Sequence, residues 1–229
     1  MNAILLTTDT PHHRYLAEKL WDVHPWQTII IEKHRSTPAF STHHPFEDKR
    51  DEYEREVLKG EFTPTPAEYE RINDPKCITY LESLAPDLLV AFGTGPLSSK
   101  VIKSAKIALN LHGGNPEKYR GLDSHLWAIY HRDFGNLVTT LHFMDEGLDT
   151  GSIVSQRPLP ITHDTGLHQL RAINTYLCVD LVRTAIGRLK PGDRLPFCRQ
   201  KEVGRYYSFM PSSLKETCLK NFDEYVRTI

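Results

Sequence analysis

The chain has 229 residues, with 28 lysines and arginines against 29 aspartates and glutamates and a formal net charge of −1. That length can bury a full core as one domain with a short appendage. The charge balance gives no general electrostatic pull toward nucleic acid or an anionic membrane. The four cysteines, Cys77, Cys178, Cys198 and Cys218, form no C-x-x-C pair, so reduced thiols and a cytoplasmic location are expected. No apolar run approaches the roughly 20 residues that cross a bilayer, and the brief apolar N-terminus reads as a first strand rather than a signal peptide.

Residues 3–7 read as a buried strand, and Thr10-Pro11 as the N-cap and first-turn proline of a helix running to Trp21. Residues 28–32 form a β-branched strand. Residues 37–61 are polar, with a helical stretch over 47–59 whose mixed charges suggest a solvated excursion, and Thr63-Pro64-Thr65-Pro66 ends it. A helix over 77–84 precedes a core strand over 87–92. Gly93-Thr94-Gly95-Pro96 then turns into a short helix over 98–104. The strand over 107–111 delivers Asn110 and His112 at its carboxyl end. Residues 122–131 are helical, 137–144 and 153–161 are strands, and 163–189 form a long helix with Leu167, Leu170, Ile173, Leu177, Leu181 and Ile186 near helical spacing. Pro191-Gly192 opens a C-terminal extension over 191–229, expected to hold a hairpin and a helix. Strand-helix alternation predicts an α/β fold, an open and mostly parallel twisted sheet with helices on both faces. Ligands of such sheets sit beyond the carboxyl ends of the strands, where Asn110, His112 and the Phe92-Gly93 turn fall.

Asn110, His112 and Asp149 combine an amide, an imidazole and a carboxylate at loop edges. The set suits acyl transfer: the amide and a protonated imidazole donate to a developing oxyanion, and the carboxylate holds the imidazolium or takes a proton through a water. Singly, each has a plain structural role as turn former, packed histidine or cap. Other signals are weaker. His12-His13 and His43-His44 are adjacent pairs, expected at the surface, and no metal site is expected. Lys100, Lys103 and Lys106 suit a phosphate or a glutamyl tail but equally serve solubility. The cluster Tyr206, Tyr207 and Phe209 suits base stacking, an oligomer seam or a hairpin core.

The ordered motifs Asn110-Leu111-His112, Tyr119-Arg120-Gly121, Trp127-Ala128-Ile129 and Asp145-Glu146-Gly147-Leu148-Asp149-Thr150-Gly151 resemble the folate-dependent formyltransferases, over about residues 86–160. The resemblance implies a Rossmann-like catalytic domain over 1–190, with Asn110, His112 and Asp149 as catalytic residues. It implies N10-formyltetrahydrofolate as formyl donor, held mainly by main chain at Phe92, Gly93, Thr94, Gly95 and Leu97 and at Asp145, Glu146, Gly147 and Leu148. Gly114, Asn115, Tyr119 and Arg120 are expected near the acceptor, although Tyr119-Arg120-Gly121 reads equally as a loop brace. Trp127-Ala128-Ile129 reads as a packed helix face. Many family members carry His-Pro-Ser-Leu-Leu-Pro where this chain has His112-Gly113-Gly114-Asn115-Pro116, so the acceptor loop is expected to be more adaptable. Thr7-Thr8-Asp9-Thr10-Pro11 lacks the glycines of the glycinamide ribonucleotide branch, and the absence of a positive surplus disfavours transfer RNA. The expected acceptor is a small-molecule amine, a nucleotide-linked amino sugar, and the expected assembly a homodimer. Another small amine or hydroxylamine, or a catalytically silent folate-binding homologue, are the alternatives.

Overall fold

A computed structural model of the chain describes residues 1–189 and 195–229, so the Pro191-Gly192 break lies outside the described residues. The first half runs β1 (Ala3–Thr7), α1 (Pro11–Trp21), β2 (Thr28–Glu32), α2 (Pro45–Val57), β3 (Ala67–Tyr69), α3 (Pro75–Leu84), β4 (Leu88–Phe92) and α4 (Ser99–Lys103). The second half runs β5 (Ile107–His112), β6 (Tyr119–Gly121), α5 (Ser124–Tyr130), β7 (Val138–Phe143), β8 (Ile153–Pro158), α6 (Leu170–Arg188), β9 (Arg205–Tyr207) and α7 (Ser212–Val226).

The main sheet has seven strands in the order β3-β2-β1-β4-β5-β7-β8. The first five are parallel, and β7 and β8 add antiparallel pairs at one edge. Every residue of β1, β2 and β4 is buried, the pattern of parallel strands covered on both faces. Alternate strand residues point to opposite sides. Leu5, Ile29, Val90, Leu109 and Leu141 pack with α1 and α6. Ile4, Leu6, Ile30, Leu89 and Ala108 pack with α3 and α4. The fold is thus an open, mostly parallel α/β sheet with helices on both faces. Strand order reverses between β1 and β4, and open sheets of this kind take ligands beyond the carboxyl ends of the strands at such a point. Among the described residues, no helix is long and apolar enough to cross a membrane.

Several elements depart from the sequence expectations. The short strands β3, β6 and β9 were not expected, because three-residue segments carry no periodicity to read. The long helix begins at Leu170 rather than near His163. The expected C-terminal hairpin is replaced by a parallel pairing, with Tyr119 opposite Arg205 and Gly121 opposite Tyr207. Tyr207 lies 4.9 Å from Trp127 and 5.5 Å from Tyr119, ring centre to ring centre, so this aromatic residue joins the core that α7 shares with α5.

The polar excursion is solvated on one face only, and its other face is docked. His44 caps α2, Phe46 is buried, and Glu54 is fully buried against Arg171 of α6, whose Nε and Nη2 donate to it at 2.5 Å and 2.6 Å. Lys215 of α7 is also buried and donates 2.9 Å to Glu47. These pairs fasten α2 to both C-terminal helices. Burial alone raises the Glu54 pKa, but the bonds from His12 and Arg171 outweigh it and hold it at about 2, below its ordinary 4.5. His12 and His13 are likewise buried, not at the surface. His12 reaches Glu54 at 3.4 Å, and His13 Nδ1 meets the Thr8 and Thr10 hydroxyls at 2.9 Å each. Burial pushes both imidazoles below their ordinary pKa.

Arg171→Met should leave the Glu54 carboxylate buried with only His12 beside it. The expected loss is about 3 kcal/mol of unfolding free energy in a urea titration; a loss within about 0.5 kcal/mol would show that the pair does not anchor α2. Because the folded pKa of Glu54 is depressed, its contribution is present above pH 4.5 and lost as pH falls toward 2.

Candidate active site

Asn110 lies on β5 with Ala91 of β4 on one side and His142 of β7 on the other. Its Nδ2 donates 3.1 Å to His142 Nε2 and 3.3 Å to Asp149 Oδ1. His142 Nδ1 is 2.7 Å from the Phe143 carbonyl, which can only accept. The ring hydrogen therefore sits on Nδ1, and Nε2 is left to accept from Asn110. Asp149 Oδ2 accepts a 2.8 Å bond from Gly121 N and lies 3.5 Å from His112 Nδ1. His112 Nε2 donates 2.7 Å to the Tyr119 carbonyl. The three expected catalytic side chains therefore meet around one carboxylate, and His142 is a fourth member that the sequence motifs did not single out. Its spacing on β7, directly opposite Asn110 in the ladder, is the signal, and it is legible only once β5 and β7 are known to pair.

Both His112 and Asp149 are buried, whereas Asn110 is half-buried and opens the site to solvent. Burial lowers the His112 pKa, opposed by the Asp149 charge and aided by His142. Burial pushes Asp149 up, but the adjacent His112 and His142 rings and the Gly121 N–H outweigh it and hold it at about 2. The site at neutral pH is thus a buried carboxylate facing a neutral imidazole whose Nδ1 carries a lone pair.

Gly121 explains why Tyr119-Arg120-Gly121 has this form. Its φ of 92° is one that L side chains rarely adopt, and a Cβ there would overlap the Tyr207 carbonyl. The other two residues turn inward as a brace. Tyr119 is buried and donates 2.9 Å to Asp133, while Arg120 donates 2.6 Å to the Gly204 carbonyl and 3.1 Å to that of Leu148. Asn115 bonds Asn136 at 2.7 Å and Glu117 N at 3.1 Å. The paired glycines do not loosen this loop. Gly114 is buried, its carbonyl accepts 2.7 Å from Thr140, and a Cβ on it would lie 2.7 Å from Ser124 Cβ and 3.1 Å from His112 Nε2. The missing side chain permits close packing over the His112 ring rather than adaptability.

The two loops expected to hold a pterin flank Asn110. Phe92 is buried, edge-on to His13 at 4.7 Å between ring centres, and Gly95 N donates 2.8 Å to the Glu32 carboxylate. Leu97 and Met144 pack on one cluster, and Lys103 reaches Glu146 at 3.4 Å, so the loops adjoin. Asp145 closes its own loop by accepting from Gly147 N at 3.1 Å and the Thr150 hydroxyl at 2.6 Å. Gly93, Gly95, Glu146 and Gly147 are exposed, with Thr94 and Leu148 half-buried. Among the described residues, the main-chain groups of Thr94 and Glu146 have no protein hydrogen-bond partner. This exposed main chain fits a ligand edge of mixed donors and acceptors.

Residues 33–174 match the formyl transferase family, and the chain belongs to it. It is 31% identical over 160 residues to a methionyl-tRNA formyltransferase of Syntrophus aciditrophicus, a match covering 69% of this chain and 50% of that protein. The chain therefore spans about half the length of the curated relatives it matches. A sugar N-formyltransferase from a Shewanella species shares the fold with a TM-score of 0.65 and 13% identity, over 96% of this chain and 87% of that one. HypX from Aquifex aeolicus, in complex with tetrahydrofolic acid, shares it with a TM-score of 0.56 and 19% identity, over 94% and 31%.

Asp149→Asn removes the charge that opposes the burial of His112. An NMR titration of the His112 ring should then move to lower pH than in the parent protein. An unchanged or raised midpoint would mean that the carboxylate does not govern this imidazole.

Proposed function

We propose that this protein moves a formyl group from N10-formyltetrahydrofolate to a primary amine on a nucleotide-linked amino sugar. The observation that carries the reading is the convergence of Asn110 and His112 on Asp149, at 3.3 Å and 3.5 Å. The folate, when bound, supplies the formyl carbon as an electrophile. The exposed main chain at 93–97 and 145–148 holds and orients it beside Asn110. An Asn110 N–H, released from His142 or Asp149, donates to the oxygen on which charge develops, a contact worth about 3–4 kcal/mol of barrier. His112 does not share that task, since its Nε2 hydrogen is committed to the Tyr119 carbonyl and Nδ1 carries no hydrogen to donate. Instead His112 Nδ1 receives the proton shed by the attacking amine, and the Asp149 carboxylate stabilises the imidazolium so formed. The same nitrogen returns the proton to the departing nitrogen. Such general base catalysis contributes about 10²–10⁴-fold.

Two observations support a sugar-nucleotide acceptor. The net charge of −1 lacks the cationic surplus that phosphate neutralisation on transfer RNA requires. The Shewanella sugar N-formyltransferase also shares the fold over nearly the whole chain. Methionyl-tRNA is the second reading, favoured by the sequence relatives.

The test incubates the protein and the folate donor with dTDP- and GDP-linked 4-amino sugars and, separately, with methionyl-tRNA, following the formyl mass gain. Formylated sugar nucleotide is expected, with kcat/KM falling on the acid side as His112 protonates below its ordinary pKa of 6.5. His112→Asn should lower the rate by about 10²–10⁴-fold and abolish that acid limb. Formylation of methionyl-tRNA alone would overturn the acceptor, and no transfer to any amine would overturn the activity.

A further inference from the structure

Asp149 holds a φ of 54°, in the left-handed region that is unfavourable for L residues by roughly 1–2 kcal/mol. Its surroundings must therefore hold it there. Three of the loop's carbonyls are taken by two side chains from outside it. Arg120 donates to Leu148 O at 3.1 Å. Gln200 Nε2 donates to Asp149 O at 2.9 Å and to Gly151 O at 2.8 Å, using both of its hydrogens. Gln200 Oε1 is buried without a partner among the described residues, so the two donated bonds alone fix the amide's orientation. A flipped amide would set its oxygen against two carbonyls.

The segment carrying Gln200 is itself tied down. Cys198 exchanges backbone bonds of 2.8 Å and 2.9 Å with Ile153, the start of β8. Lys118 reaches Glu202 at 2.9 Å, Arg120 bonds the Gly204 carbonyl, and β9 pairs with β6. Residue 200 lies beyond the 33–174 family match.

We propose that Gln200 is a positioning residue for the Asp149 carboxylate, a clasp from the C-terminal segment that sets the distance between Asp149 and His112. The proposal rests on the catalytic reading of Asp149 given above. A neutral donor of this reach holds both carbonyls without adding a charge beside the site. Losing it frees residues 149–151 to relax from the left-handed turn, which carries Oδ2 away from Gly121 N and His112 Nδ1. His112 then loses the field that raises its pKa.

The experiment titrates the His112 ring by NMR in the parent protein and in Gln200→Ala, and measures kcat and KM for formyl transfer in both. The midpoint is expected to move to lower pH, kcat to fall about 100-fold, and KM for the donor to stay within about threefold, as a displaced carboxylate rather than a lost binding contact dictates. An unshifted titration or an unchanged kcat overturns the proposal. Should Gln200→Ala fail to fold, Gln200→Met keeps the bulk and removes the donors, and the same readings apply. The titration needs no substrate. A shifted midpoint in a protein whose parent form transfers no formyl group would sink the proposed activity and leave the clasp standing.

Discussion

One buried carboxylate organises the candidate site of this molecule. A charge removed from water is tolerated only when its lone pairs are met, and Asp149 accepts from Asn110 and the Gly121 N–H, with the His112 and His142 rings beside it. The four residues come from three separate strands. Asn110 and His112 ride on β5, His142 on β7 and Gly121 on β6. The carboxylate therefore dictates how the sheet edge, the small β6-β9 pair and residues 145–151 are arranged. The glycine at 121 follows from the same demand, since its N–H must point at Asp149 while the Tyr207 carbonyl occupies the space a side chain would need.

A second buried anion does comparable work where α2 docks on α6 and α1. Glu54 receives two bonds from Arg171 and lies beside His12, which ties α2 to α6 and to the start of α1. Lys215 and Glu47 repeat the device between α7 and α2. Buried ion pairs of this kind add little net stability over apolar packing, but they penalise any arrangement that separates the partners. Their effect here is to give a charge-rich segment one docked position. The polar stretch over 37–61 is thereby part of the scaffold.

Much of the sheet was legible in advance. Continuous apolar runs such as Ala3–Thr7 and Leu88–Phe92 have no stable alternative to burial on both faces, and the intervening helices carry proline starts or capping groups that mark their ends. The segments that escaped were those whose structure comes from distant partners. Arg205–Tyr207 has no local signal for a parallel pairing with Tyr119–Gly121. Glu54 and Lys215 belong to residue types that are almost always exposed, and only a partner more than a hundred residues away reverses that expectation. Gly113-Gly114 suggested slack for the same reason. Flexibility is the default reading of glycine until the atoms that fill its empty side are known, and at Gly114 these are Ser124 and His112.

From the residues alone followed the α/β class, the placement of Asn110 and His112 at a strand's carboxyl end, and Asp149 as their carboxylate partner. These depend on local patterning and on motif order, which a linear chain displays directly. Tertiary structure alone decided that His142 completes the network, that the His112 ring turns Nε2 to Tyr119 and Nδ1 to Asp149, and that Gln200 and Arg120 hold the Asp149 loop. Hydrogen-bond direction and burial arise from side chains that meet across the fold, and nothing in the spacing of residues along the chain encodes which nitrogen faces which oxygen.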